Sequence, residues 1–219
     1  YKVTMGYGNN GCTREDSATV TVNSLPPTIS CPGNITANNT PGTCGRAVTY
    51  TPTVGGLPAP TITYAFTGAT VGSGSGDGSG SVFNVGITTV TLTATNACGS
   101  VNCSFTVTIT DNQPPTVTVG TIGSCYPTVA AAQAAALAAT TATDNCPGAL
   151  IETASTVGTC SAVVTVRTTD AAGNFTDVTY NTRIDNTPPV VTVGTIGSCY
   201  PTAAAAEAAA LAATSATDN

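Results

Sequence analysis

The chain has 219 residues and a mass of 21.4 kDa, enough for one large domain or two to three small ones at roughly 100–200 residues each. Only 7 % of the residues are charged, the formal net charge is −6, His and Trp are absent, Lys occurs once and Thr fills 45 positions. This excludes a disordered chain, which needs low hydrophobicity with high charge, and it removes the basic footprint that nucleic acid or an anionic membrane surface requires. Without His the chain lacks the commonest general acid–base group and zinc ligand, so an enzyme is not expected. No apolar run approaches the ~20 residues of a membrane span, so membrane insertion is not expected either. The first residues lack the layout of a signal peptide, and both ends read as cut inside a pattern, which makes the chain a window on a longer polypeptide.

Residues 1–24 read as the last strands of a preceding repeat, with Ser17 to Val22 alternating apolar and hydroxyl side chains. The paired prolines Pro26-Pro27, Pro114-Pro115 and Pro188-Pro189 mark seams, because Pro fixes φ and resists helix. They divide the chain into residues 25–112, 113–186 and 187–219. Within the first two segments, Arg46 to Tyr50, Thr88 to Thr95, Ser104 to Thr110, Val117 to Val119, Ala162 to Thr168 and Thr176 to Ile184 alternate Val, Ile, Leu or Phe with Thr. Successive side chains of a strand point to opposite faces, so each segment presents one apolar and one hydroxyl face. Several short strands between turn clusters predict β-sandwiches.

Gly72 to Ser81 (GSGSGDGSGS) lacks the Lys-Ser/Thr of a phosphate loop and the repeated nonapeptide of a calcium roll, so a mobile hairpin loop is expected. Ala130 to Ala139 breaks the period of two. Ala has the best helix propensity and Thr128 can cap after Pro127, so about three turns of helix are expected as a structural plug. The segment from Gln113 to Asn145 recurs from Thr187 to Asn219 at an offset of 74, with 28 of 33 positions identical. Near-identity at a fixed period marks a tandem array whose units contact mainly their neighbours.

The run Pro26-Pro27-Thr28-Ile29-Ser30-Cys31-Pro32-Gly33-Asn34-Ile35, with Pro41-Gly42-Thr43-Cys44-Gly45, Phe83-Asn84-Val85-Gly86-Ile87-Thr88-Thr89-Val90 and Cys103-Ser104-Phe105-Thr106-Val107-Thr108, resembles a hyalin-repeat (HYR) domain. The resemblance implies an all-β fold of tandem immunoglobulin-like sandwiches in a linear array, of the kind found in extracellular adhesion proteins. The 74-residue unit, with Thr143-Asp144-Asn145-Cys146, Val157-Gly158-Thr159-Cys160 and Thr169-Asp170-Ala171-Ala172-Gly173-Asn174, is similar to repeats of long Bacteroidota surface adhesins, some of which serve gliding motility and leave by the type IX pathway. In the first unit Gly55-Gly56-Leu57-Pro58-Ala59-Pro60 stands where the hyalin repeat usually carries an acidic-Asn-Cys element.

Nine Cys with no His fit disulfides in an oxidising compartment, hence an extracellular or cell-surface location. In an immunoglobulin-like sandwich the first and last strands run parallel, which predicts Cys31 with Cys103. Cys44 with Cys98 is then left by elimination, although topology sets them at opposite poles. In the smaller unit, counting poles puts Cys125 with Cys160 and leaves Cys146 alone; Cys12 and Cys199 are expected to pair outside the segment. Asp111 and Asn112, Asp144, Asp170 and Asp185 gather at joints and pole loops, where calcium is the one cofactor their oxygens could take, against the simpler reading that they satisfy turn backbone. Asp16-Ser17-Ala18 resembles a Bacteroidota O-glycosylation acceptor at Ser17, and Asn34, Asn38, Asn102 and Asn174 fit Asn-x-Ser/Thr. The threonine row Thr89, Thr91, Thr93 and Thr95 offers a hydroxyl face to ice or glycan, or only to solvent. The expected partners are neighbouring repeats, other copies in a filament, and a surface glycan or substratum reached through other parts.

Overall fold

The computed structural model describes residues 23–217. The expected strand at Ser17 to Val22, the acceptor Ser17 and Cys12 lie outside them. The chain divides into two compact units between Gln113 and Pro114.

The described residues of the first unit form β-strands and loops only. In chain order the unit holds β1 (Leu25–Ser30), β2 (Ile35–Asn38), β3 (Gly45–Ala47), β4 (Thr53–Leu57), β5 (Thr61–Gly68), β6 (Gly72–Ser75), β7 (Val82–Asn84), β8 (Gly86–Asn96) and β9 (Gly99–Thr110). One sheet has the order β2-β9-β8-β5-β6, and the ribbons β1-β4 and β3-β7 complete the structure. The alternation in β8 explains its place at the centre: Val90, Leu92 and Ala94 are wholly buried while Thr89, Thr91 and Thr93 face outward. Each such Val or Leu contributes ~1.5–3 kcal/mol on burial. Phe83 from β7 and Ile29 from β1 join the same core as Phe66, Phe105, Val107 and Ile109. The first and last parts of the unit lie parallel, with Ile35 opposite Val107 and Asn38 opposite Thr110. The expected strand at Arg46 to Tyr50 shortens to β3, because Val48 and Tyr50 turn inward to the core and bond the glycine-rich loop instead.

The second unit opens with β10 (Thr116–Val119), β11 (Cys125–Tyr126), α1 (Val129–Ala138) and β12 (Thr140–Thr143), followed by β13 (Ile151–Val157), β14 (Ala162–Thr169) and β15 (Phe175–Ile184). Thr128 caps α1 by accepting the Ala131 amide at 3.1 Å. A four-stranded sheet of order β11-β15-β14-β13 forms one layer, and the ribbon β10-β12 with α1 forms the other. Ala132 and Ala136 are wholly buried against Val164, Val166 and Tyr180. Small side chains on one helix face let the backbone approach the sheet closely, which is why an alanine run serves here. The chain then repeats the opening of the unit as β16 (Val190–Val193), α2 (Ala203–Ala213) and β17 (Thr214–Thr217).

Candidate functional surfaces

Cys31, just after β1, and Cys103, in β9, are joined by a disulfide whose Cα atoms lie 5.7 Å apart across 72 residues of sequence. Cys44 and Cys146 are also disulfide-bonded. Three expectations need correction. Cys98 is a free, exposed thiol and does not pair with Cys44. It sits in the β8–β9 turn, where Asn96 Nδ2 donates to the carbonyls of Leu25 and Pro58, whereas Cys44 lies near the other end of those strands, roughly 40 Å of extended chain away. Cys125 and Cys160 are likewise free and exposed. Both reach the same end of the sheet, but on opposite sides of β15: the Arg183 amide donates to Ser124 O and the Ile184 amide to Thr159 O. An intervening strand sets them ~9–10 Å apart, beyond the ~4.4–6.8 Å Cα separation of a disulfide. Cys146, which pole counting within one sandwich left alone, is bonded. Cys199 is a free, exposed thiol.

The acidic positions hold the backbone of their own turns. Asp111 is buried and accepts from Asn39 Nδ2 at 3.1 Å and from the Gln113 amide at 3.1 Å, while the Asn112 amide donates to Asn39 Oδ1. Asp170 closes its loop by accepting the amides of Ala172 and Asn174 on one oxygen and Asn174 Nδ2 on the other. Asp185 pairs with Arg183 at 2.9 Å and accepts the Thr187 amide. Asp144 differs: one oxygen takes the Cys146 amide at 2.8 Å, and the other is buried with no hydrogen-bond partner.

The glycine-rich stretch is anchored, which corrects the expectation of a mobile loop. Gly72 to Ser75 pair with β5, Tyr50 Oη donates to Asp77 O at 2.8 Å, and the Ser79 amide donates to Asp77 Oδ1. Glycine is required because a methyl at Gly78, where φ is +74°, would lie 2.7 Å from Phe66 Cζ. Burial, followed by the Asp77 carboxylate and the nearby Tyr64, pushes the Tyr50 phenol up to about 12.

The outer face of the five-stranded sheet is a hydroxyl array. Thr63, Thr93 and Asn102 stand side by side across β5, β8 and β9, as do Thr67, Thr89 and Thr106. The second unit carries a feature the sequence did not suggest: Arg167 pairs with Asp177 across β14 and β15 at 2.7 Å and stacks over Phe175 with 3.8 Å to the ring centroid. The hydrogen bond from Arg167 holds the Asp177 carboxyl below its usual range. Only the strand register brings these residues together, so no local pattern could have shown them.

The first unit is thus a sandwich in which β2 runs parallel to the last strand, β9, with Cys31 and Cys103 stapled together. Residues 22–109 match the HYR domain. The HYR domain is an immunoglobulin-like, cell-adhesion-related module, and the match together with the Cys31–Cys103 disulfide points to a domain of the extracellular type. No curated protein is similar to the chain in sequence. Among solved structures, a crystal structure of Dpr2 Ig1-Ig2 in complex with DIP-Theta Ig1-Ig3 aligns at 12 % identity and a TM-score of 0.32, over 74 % of this chain and 66 % of that one. The chain therefore spans just under two thirds of the length of that structure's chain. Among the described residues no helix is long and apolar enough to cross a membrane.

Proposed function

We propose that the chain is a non-enzymatic structural segment of a long, repetitive extracellular adhesin, a surface stalk that serves cell-surface adhesion and, in a gliding cell, motility. The observation that carries this reading is the HYR-matching sandwich closed by Cys31–Cys103, set in one chain with a near-identical tandem repeat. Its mechanism is mechanical: hydrogen-bonded Thr and Val ladders resist unfolding, disulfides limit extension and Pro-Pro joints set reach. Neighbouring repeats are its partners, and glycan or substratum binding belongs to other parts of the parent or to the hydroxyl array. Calcium binding at the pole loops is part of the proposal and is supported by the unpartnered oxygen of Asp144. Titration calorimetry with calcium tests it; no heat and no thermal shift would remove calcium from the reading.

The second reading, a subunit of a self-assembling extracellular filament, is favoured by the exposed apolar side chains Val190, Val191, Val193 and Leu211 near the end of the chain. Electron microscopy of the secreted material separates the two. Beaded single threads are expected for the stalk, and a regular helical lattice establishes the filament in its place.

A further inference from the structure

The two copies of the repeat opening share sequence and internal geometry but not surroundings. Val190 pairs with Thr217 as Thr116 pairs with Thr143. Thr202 caps α2 as Thr128 caps α1, and the amide of Gly194 donates to Ala213 O at 2.7 Å as that of Gly120 does to Ala139 O at 2.8 Å. The turn before each helix is also the same, with the amides of Gly123 and Gly197 donating to the hydroxyls of Tyr126 and Tyr200.

In the first copy this scaffold presses Ala132 and Ala136 onto β13, β14 and β15 and buries both wholly. In the second, no residue of α2 is buried, Leu211 is 79 % exposed where its counterpart Leu137 is half-buried, and Val191 and Ile196 stand open where Val117 and Ile122 are half-covered. Thr214 Oγ1 still donates to Ala210 O, as Thr140 does to Ala136 O, but Thr214 is exposed where Thr140 meets Tyr180. A scaffold of this kind cannot bury its own apolar face, because a lone helix and ribbon make only one layer.

We propose that residues 187–217 form a receiving surface for one occupant: a three-stranded antiparallel sheet with the sequence pattern of Ile151–Ile184, on a stretch of polypeptide other than this chain's own β13–β15. The first copy shows that occupant seated. The chain's own sheet is out of reach. Pro115 O accepts from Thr176 Oγ1, so this end of the scaffold must lie beside Thr176. Pro189, the counterpart of Pro115, follows Ile184 by five residues, a reach of ~17–18 Å, whereas Thr176 lies eight residues back along β15, ~26 Å away. That sheet is also already covered by α1. The inference rests on the internal repeat and stands or falls separately from the adhesive role.

The test compares the chain with a version carrying a second copy of residues 146–186 after Asn219, with serine at its two cysteine positions. Hydrogen exchange and binding of a hydrophobic dye are the readouts. The amides of residues 203–213 are expected to gain protection to the level of residues 129–138, and dye binding to fall. Ala206→Arg, at the position of buried Ala132, should cut the gain about tenfold or more, because a large side chain cannot enter that contact, while leaving the unextended chain unchanged. Ala208→Arg, at the position of exposed Ala134, should have no effect. Should the extended chain aggregate, the same polypeptide added separately to the chain gives the same readout. Unprotected residues 203–213 in both formats would overturn the proposal, as would an unextended chain that dimerises with those residues already protected.

Discussion

Thr140 and Tyr180 tie the helix of the second unit to its sheet: Thr140 Oγ1 lies 2.9 Å from Tyr180 Oη, and both residues are buried. Thr140 also reaches the Ala136 carbonyl, so the hydroxyl pair closes the last turn of α1 and fixes it over β15 in one step. Tyr180→Phe keeps the ring and removes one partner. It is expected to cost about 1 kcal/mol in urea unfolding, since Thr140 keeps the Ala136 bond and nothing is left stranded.

Reducing Cys31–Cys103, or replacing both residues with Ala, is expected to destabilise the first unit by about 2–5 kcal/mol, because the bond closes a long loop in the unfolded chain. Denaturant melts of the double-Ala variant against the unaltered protein, both without reductant, measure this, because reductant would also open the bonds of Cys44 and Cys146. An unchanged midpoint for the first unit would contradict it.

The thiols of Cys98, Cys125, Cys160 and Cys199 are exposed, so all four should react with a thiol reagent in the native protein, without denaturant. Peptide mapping after labelling identifies them, and protection of Cys125 together with Cys160 would show that the two are bonded after all.

Gly76 and Gly78 make a matched pair in the glycine-rich turn. Both have positive φ, but a methyl at Gly76 meets nothing within 4 Å, whereas one at Gly78 meets the Phe66 and Tyr64 rings. Gly76→Ala should cost about 1 kcal/mol from backbone strain alone, and Gly78→Ala about 2–4 kcal/mol once overpacking is added. Equal effects would mean that the aromatic rings do not fill that space.

Tyr50 sets an alkaline limit. Its phenol is raised to about 12 from 10.0, so between pH 10 and 12 the unfolded chain releases a proton that the native chain retains. Stability present below pH 10 is therefore lost as the pH climbs through that window. Tyr50→Phe should flatten the decline there while lowering stability at neutral pH through loss of the bond to Asp77 O.

The strands with regular Thr and Val alternation, β8, β9, β14 and β15, were legible because one of their faces is buried and the other is not. β13 was missed, since Glu152, Thr153, Ser155 and Thr156 leave little apolar contrast, and β6 was missed because Gly72 and Gly74 read as loop. The order of the glycine-rich turn depends on Tyr50, Tyr64 and Phe66, which approach it from elsewhere in the chain. Pole counting placed Cys125 and Cys160 at the correct end of the sheet, but it carries no information about which strand lies between them. The Arg167–Asp177 pair depends on a register that no short window of sequence reveals.

The staple at Cys31–Cys103 also decides how the first unit answers a pull along the chain. Cys31 and Cys103 stay joined through sulfur under tension, so the intervening stretch, 72 residues of separation and about 240–260 Å if drawn straight, cannot be drawn out between those two positions. A ruptured unit lengthens only by its short flanks, and neighbours in a thread keep nearly their original spacing after one of them yields.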